Sequence, residues 1–198
     1  IVWPEAAFPG YFNLDKEGER IRSLAHKLKT PILFGSPSLE RLNGGSEVAY
    51  NSAYLVLDSK ADTNRYDKIR LVPFGEYVPW RRFFGLFGLE RFAYSLGVSD
   101  FEAGKDVRVF SLDGKGRFSV LICFEDIFPS LARRSVKAGA QFLIVMTNDA
   151  WFEKSAAPYQ HLQASIFRAI ENGVPVVRAA NTGVSAFIDK QGKVLKNW

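Results

Sequence analysis

The sequence predicts a mixed α/β fold in which a β-sheet carries helices on one face. Short apolar segments of strand length alternate with amphipathic helical segments, and glycine-rich turns join some of the strands into hairpins. The composition, 47% hydrophobic and 24% charged over 198 residues, is that of one globular domain. We therefore expect residues 1–198 to form a single domain. The second face of its sheet must be covered by another sheet or by another chain.

The N-terminal half is predicted to begin with a helix at residues 16–29. Its apolar residues recur at helical spacing, and Thr30-Pro31 ends it. Strands are expected at residues 32–35, 51–57 and 63–66, with a turn at 58–62. Residues 73–106 contain several glycines and prolines and are expected to be irregular.

The C-terminal half is predicted to begin with a hairpin of residues 107–112 and 117–122, joined by an Asp-Gly-Lys-Gly turn. Helices are expected at residues 130–138 and 159–171, and strands at 142–147, 174–179 and 185–188. Residues 1–3 resemble the end of a strand and residues 193–198 the start of one. The chain is therefore expected to be a fragment of a longer protein.

Charge and composition limit the function classes. The net charge of +5 suits an anionic surface, but no dense Lys/Arg block favours nucleic acid. No apolar run reaches the roughly 20 residues of a membrane-spanning helix. With one cysteine and two distant histidines, no metal site and no intrachain disulfide is expected.

Cys123 is the first candidate for chemistry, because it directly follows the apolar strand 117–122. Loops after strands often carry reacting groups in α/β folds. A thiol attacks as the thiolate, so it needs a nearby cation or base. The alternative interpretation is a buried structural thiol.

Lys68 and Glu5 are the candidate partners. Lys68 follows a predicted strand and could lower the thiol pKa and stabilise an oxyanion, although it could also be a surface lysine. Glu5 lies among Trp, Pro and Phe, where partial desolvation suits a general base, although it could also be an ordinary helix-start glutamate. A Cys-His pair of the papain type and a Gly-x-Ser-x-Gly elbow are not supported.

In this order along the chain, Glu5, Lys68 and Cys123 resemble the Glu-Lys-Cys triad of the nitrilase superfamily of carbon-nitrogen hydrolases. Residues 168–172 (RAIEN) and 180–183 (ANTG) are similar to further segments of that superfamily. The resemblance implies an α-β-β-α sandwich, incomplete at both ends.

Three segments narrow the resemblance to the apolipoprotein N-acyltransferase family: residues 3–7 (WPEAA), 71–79 (LVPFGEYVP) and 148–152 (NDAWF). The Lys-then-His-Leu pattern of soluble nitrilases is missing. The resemblance implies an enzyme of the bacterial inner membrane whose nitrilase-like domain faces the periplasm. Its substrates would be a phospholipid acyl donor and the N-terminal amine of an S-diacylglyceryl-cysteine apolipoprotein. The acyl chain would pass from the first to the second through a thioester on the enzyme cysteine, without any cofactor.

The same resemblance implies the residue roles. Cys123 would be the nucleophile and Glu5 the general base. Lys68 and a backbone N–H after the nucleophile, which we expect to be that of Phe124, would hold the oxyanion. Glu76 and Glu125 are the candidates to orient Lys68 through a charged hydrogen bond.

Residues 80–94 mix aromatic side chains with arginines and are expected to form a lid at a membrane interface. The candidate lid residues are Trp80, Phe83, Phe84 and Phe87. Trp151 and Tyr159 are candidates for the wall of the acyl site. Ordinary packing of these aromatics onto the core is the alternative in both cases.

Two other functions stay open at this point. One is a soluble amidase of the same superfamily that hydrolyses a small amide or carbamoyl compound. The other is a non-catalytic module that uses the basic, aromatic segment to bind membranes.

Overall fold

The structure, a computed structural model, describes residues 1–57, 63–79 and 100–198. Within these ranges the α-helices are α1 (Gly18–Leu28), α2 (Pro129–Lys137) and α3 (Ala157–Asn172). The strands are β1 (Ile32–Arg41), β2 (Glu47–Val56), β3 (Thr63–Asp67), β4 (Val109–Leu112), β5 (Gly116–Ile122), β6 (Phe142–Thr147), β7 (Val176–Ala180), β8 (Ala186–Ile188) and β9 (Val194–Asn197).

The strands form two sheets. One is antiparallel with the order β1-β2-β3, and the other has the order β4-β5-β6-β7-β8-β9. In the larger sheet β5, β6 and β7 are parallel, and the outer strands pair antiparallel. Helices α2 and α3 make the crossovers between the parallel strands, as parallel pairing requires.

The layers follow the order α-β-β-α. Apolar side chains of both sheets pack against one another in the interior, including Leu55 of β2 and Ile144 of β6. Helix α1 packs on the outer face of the smaller sheet through Ile21 and Ala25. Helices α2 and α3 cover the outer face of the larger sheet. The predicted mixed α/β sandwich is confirmed, and the cover expected for the second sheet face is the β1-β2-β3 sheet.

The first hairpin is longer than the sequence predicts. Strands β1 and β2 pair over ten residues each, and Pro37 lies opposite Asn51. A proline and a glycine within this segment argue against a strand, but β1 is at the edge of its sheet, where a missing backbone donor is tolerated. The remaining predicted helices and strands of the described chain lie within about two residues of the observed ones.

The candidate lid, residues 80–94 with Trp80, Phe83, Phe84 and Phe87, lies outside the described residues, as does the predicted turn at 58–62. Among the helices that are described, none combines the length and the hydropathy needed to cross a membrane.

Candidate active site

One cavity of about 760 Å³ is lined by all three predicted catalytic side chains. Glu5 lies in the segment that runs beside β1, Lys68 directly follows β3, and Cys123 directly follows β5. The first two positions belong to the layer of the smaller sheet and the third to the larger sheet. The site therefore lies where the two sheets meet at the ends of their strands.

Glu5 is held against β1 by a close backbone approach. A Cβ atom on Gly35 would lie 2.7 Å from the Cα of Glu5, so only glycine allows this packing. Glu5 as a whole residue is 8% exposed. Its Oε1 accepts a hydrogen bond of 2.8 Å from Asn51 Nδ2, and its Oε2 accepts one of 2.9 Å from the backbone N–H of Asn148. Both oxygens are thus fixed in position.

Lys68 is 1% exposed, and its charge is balanced by two carboxylates. Its Nζ lies 2.9 Å from Glu76 Oε1 and 3.5 Å from Glu5 Oε1. Burial alone would lower the lysine pKa, but the charges of Glu5 and Glu76 outweigh it and raise the pKa above its usual value. The ammonium group therefore stays charged beside the cavity. Asn51, which the sequence analysis missed, bridges the two carboxylates, since its Nδ2 also donates to Glu76 Oε1 at 2.7 Å.

The two supporting glutamates differ in what they contact. Glu76 accepts the hydrogen bond from Lys68. Glu125 instead accepts hydrogen bonds from the Tyr66 hydroxyl and from the backbone N–H groups of Ile69, Arg70 and Ile122. It therefore ties the segment after Lys68 to the strand before Cys123. Burial raises the pKa of Glu125, although these donors oppose the shift.

Cys123 begins a 3-10 turn that covers Cys123–Ile127. Its φ of 50° lies in the left-handed region, which is uncommon for a residue with a side chain and is typical of strained functional sites. Phe124 is the second residue of this turn and lines the cavity. Because the first N–H groups of such a turn have no partner within it, the Phe124 N–H is suited to donate a hydrogen bond to a ligand oxygen.

The thiol pKa is raised to about 12 in spite of the nearby Lys68. Burial is the largest cause, and the charge of Glu5 adds to it. Lys68 acts in the predicted direction but is outweighed. The thiol therefore keeps its proton at neutral pH.

A second buried polar cluster lies beneath the nucleophile, and sequence reasoning missed it. His161 places Nδ1 2.8 Å from Asp149 Oδ1 and Nε2 2.9 Å from Asp126 Oδ1. Arg178 of β7 contacts both of these carboxylates, at 3.0 Å and 2.9 Å. An arginine inside the apolar strand 174–179 was the signal in the sequence, because a buried charge needs a partner. His161 lies against the carbonyl oxygen of Cys123, at 3.3 Å.

Burial would lower the pKa of His161, but hydrogen bonds to Asp126 and Asp149 raise it to about 9. A raised histidine pKa stabilises the fold fully below the unfolded value near 6.5 and loses this effect as pH rises through about 9. We expect the His161 imidazole to contribute roughly 3 kcal/mol to the free energy of unfolding, and this contribution to be lost as the pH rises from about 6.5 to about 9. Thermal unfolding of the full-length protein at pH 6, 7.5 and 9 measures it. His161→Gln cannot titrate at this position, so its stability should change less with pH. If stability fell equally steeply with pH in the variant and the wild type, the raised pKa of His161 would be contradicted.

The mouth of the cavity is apolar. Trp151, 79% exposed, lines it together with Ile127 and Phe152. Tyr159 is 64% exposed and is not among the described residues that line the cavity. Since residues 157, 160 and 161 of α3 face the cavity, helical geometry turns residue 159 to the opposite side. Tyr159 is therefore left out of the proposed acyl site.

Over residues 1–57, 63–79 and 100–198, no group of His, Cys, Asp and Glu side chains is arranged to hold a metal ion.

An α-β-β-α sandwich with a half-buried cysteine and a buried lysine and glutamate at one cavity defines the class of the protein. The chain belongs to the carbon-nitrogen hydrolase family, whose model matches residues 1–197. Within that class it is similar to proteins named apolipoprotein N-acyltransferase. The one from Geobacter metallireducens is 46% identical over 98% of this chain and 36% of its own length. The one from Chlorobaculum tepidum is 36% identical over 98% of this chain and 40% of its own length.

The chain thus spans well under half the length of these curated relatives. Among solved structures, a cysteine mutant of the Nesterenkonia amidase from the nitrilase superfamily matches all of this chain and 72% of its own, with a TM-score of 0.68 and 21% identity. A second variant of this amidase, with the acetamide moiety of fluoroacetamide covalently added at its active site cysteine, matches with a TM-score of 0.67 and 20% identity, over 100% of this chain and 72% of its own. At this identity the likeness concerns the fold.

Proposed function

We propose that this chain is the catalytic domain of an apolipoprotein N-acyltransferase, with Cys123, Lys68 and Glu5 as its catalytic residues. It would move an acyl chain from a phospholipid to the N-terminal amine of an S-diacylglyceryl-cysteine apolipoprotein. The main support is the convergence of these three side chains on one mainly apolar cavity of about 760 Å³. The similarity to proteins of this name, up to 46% identity, supports the choice of substrates.

In the first half-reaction Cys123 attacks the ester carbonyl of the phospholipid, and Glu5 takes the thiol proton. Because the thiol pKa is about 12, proton transfer accompanies the attack and no thiolate is stored in the empty site. The negative charge that develops on the carbonyl oxygen is stabilised by the Lys68 ammonium and the Phe124 N–H. Glu5 then protonates the departing lysophospholipid alkoxide, and a thioester remains on Cys123.

In the second half-reaction the α-amine of the apolipoprotein attacks the thioester. Glu5 takes a proton from the attacking nitrogen, and the same two donors hold the oxyanion. The C–S bond breaks as the amide forms, and the proton returns to the sulfur. Donor and acceptor thus use one site in turn, which is ping-pong chemistry.

The surroundings of the cavity fit a lipid substrate. Apolar walls keep water from the thioester, where hydrolysis would compete with transfer. Trp151 at the mouth has the amphipathic ring that suits a bilayer interface, and the net charge of +5 suits anionic phospholipid. We place the reaction at the periplasmic face of the bacterial inner membrane.

The test uses the full-length protein in detergent micelles with a phospholipid and a synthetic S-diacylglyceryl-cysteinyl peptide. We expect mass spectrometry to show N-acylated peptide and an equal amount of lysophospholipid. The matched control is the same peptide with an acetylated α-amine, which should receive no acyl chain.

Two other results would contradict this function. Release of ammonia from a small amide such as butyramide, without any lipid turnover, would indicate a soluble amidase instead. Binding to phospholipid vesicles that persists in Cys123→Ala, with no turnover by the wild type, would indicate a non-catalytic membrane-binding module.

A further inference from the structure

The buried cluster beneath the nucleophile reaches the site through His161, whose ring lines the cavity and whose Nε2 contacts a backbone atom of Cys123. His161 Nε2 lies 3.3 Å from the carbonyl oxygen of Cys123. The sulfur itself is not the partner of the imidazole ring. This histidine therefore does not form the Cys-His pair of a thiol protease, and its contact with Cys123 is made to the peptide bond that follows the nucleophile.

That peptide bond joins the Cys123 carbonyl to the Phe124 N–H. The peptide unit is planar, and in its trans form the C=O and N–H groups point in opposite directions. A donor that fixes the carbonyl oxygen on the side of the cluster therefore fixes the N–H on the other side. A hydrogen bond to the carbonyl also polarises the amide and strengthens its N–H as a donor.

The imidazole ring is well placed to act as a rigid anchor. Asp149 and Asp126 hold its two nitrogens at 2.8 Å and 2.9 Å. Asp126 is held in turn by the Ser165 hydroxyl at 2.6 Å and by Arg178 at 3.0 Å. Every one of these side chains is buried. Because each group has several partners from β7, α3 and the turns after β5 and β6, the ring has little freedom to rotate.

We propose that His161 is a positioning residue for acyl transfer: by its hydrogen bond to the Cys123 carbonyl, it orients and polarises the Phe124 N–H as an oxyanion donor. This inference rests on the proposed function only in requiring that an acyl group passes through a thioester on Cys123. It assigns a role in the reaction to the buried cluster between α3 and the larger sheet.

The test compares His161→Gln with His161→Asn in the full-length protein. The amide nitrogen of glutamine can occupy the place of Nε2 and still donate to the Cys123 carbonyl. The amide nitrogen of asparagine corresponds to Nδ1 and can reach only Asp149. Both variants lose the same charge, so they differ mainly in the contact that the proposal concerns.

Two reagents separate positioning from general damage. The activated ester p-nitrophenyl butyrate acylates Cys123 and releases p-nitrophenolate, a step that needs the oxyanion donor. Methyl methanethiosulfonate converts the same thiol into a methyl disulfide and releases methanesulfinate, without any carbonyl oxygen to stabilise. The ester also distinguishes this inference from the proposed donor: if phospholipid fails to acylate the wild type while the ester succeeds, only the donor assignment fails.

We expect His161→Asn to lower the acylation rate by at least about tenfold, part of the 100-fold or more that loss of an oxyanion donor costs. His161→Gln should stay within about threefold of the wild type, and all three proteins should react alike with the thiosulfonate. Equal acylation by both variants, or parallel loss of both reactions, would overturn the proposal. Should His161→Asn not fold, His161→Met replaces it in the comparison, because it fills a similar volume without a donor, and the same outcomes decide.

Discussion

Cys123→Ser is expected to abolish the covalent acyl-enzyme and to lower acyl transfer by roughly 10⁴-fold or more, the size of effect seen when a catalytic nucleophile is lost. A hydroxyl is a far weaker acid than a thiol, and its shorter bond to Cβ places the oxygen farther from the substrate carbonyl. Serine is otherwise similar in volume, so the left-handed backbone at this position should persist.

Intact-mass measurement after incubation with phospholipid, before and after treatment with hydroxylamine, checks this prediction. Hydroxylamine cleaves a thioester and so removes the added acyl mass. Cys123 is the one cysteine of the chain, so no second thiol of the chain can take the acyl group. Ser119→Ala is a suitable control on the same strand, because the hydroxyl it removes donates to the Arg108 carbonyl and not to a group of the site. An acyl adduct that survives Cys123→Ser would remove this residue from the mechanism.

Lys68→Met is expected to have two large effects, one on rate and one on stability. Loss of the ammonium should slow acyl-enzyme formation by at least about 100-fold, as for other oxyanion donors. It should also lower the free energy of unfolding by roughly 3–5 kcal/mol, because Glu5 and Glu76 would face each other in a buried site without a cation. Single-turnover acylation and thermal unfolding measure the two effects separately.

The double variant Lys68→Met/Glu76→Gln tests the physical cause. Removing one of the two carboxylates relieves their repulsion, so stability should largely return while activity stays low. Lys105→Met, at an exposed lysine, is the matched control and should change neither quantity. A double variant no more stable than the single one would mean that the lysine does not balance these charges.

The convergence of Glu5, Lys68 and Cys123 could be anticipated only through the resemblance to the Glu-Lys-Cys triad of the nitrilase superfamily, since the residues alone left a surface lysine and a structural thiol open. Alternation of strands and helices then limits the layering to a few arrangements. The extension of β1 through Pro37 could not be anticipated, because its tolerance depends on β1 being an edge strand. Edge position is a property of the assembled sheet and leaves no trace in the local sequence.

The pKa values of the site were harder to predict than the identity of its residues. Lys68 alone suggests a lowered thiol pKa, yet burial and Glu5 reverse the sign, and neither is visible from sequence spacing. His161 likewise looks isolated in the sequence. Its partners Asp126, Asp149 and Arg178 come from two turns and a strand, so only the folded chain shows that they meet.

The hydrogen bond between Tyr66 of β3 and Glu125 of the turn after β5 spans the two sheets, and it has a consequence for how reactivity appears during biosynthesis. Cys123 follows a strand of one sheet and Lys68 a strand of the other, so the two side chains meet only when the layers pack together. A chain whose layers have not joined would therefore lack the ammonium group that stabilises the oxyanion during acylation. Competence would arrive only with closure of the sandwich, so that acylation itself reports that the domain has finished folding.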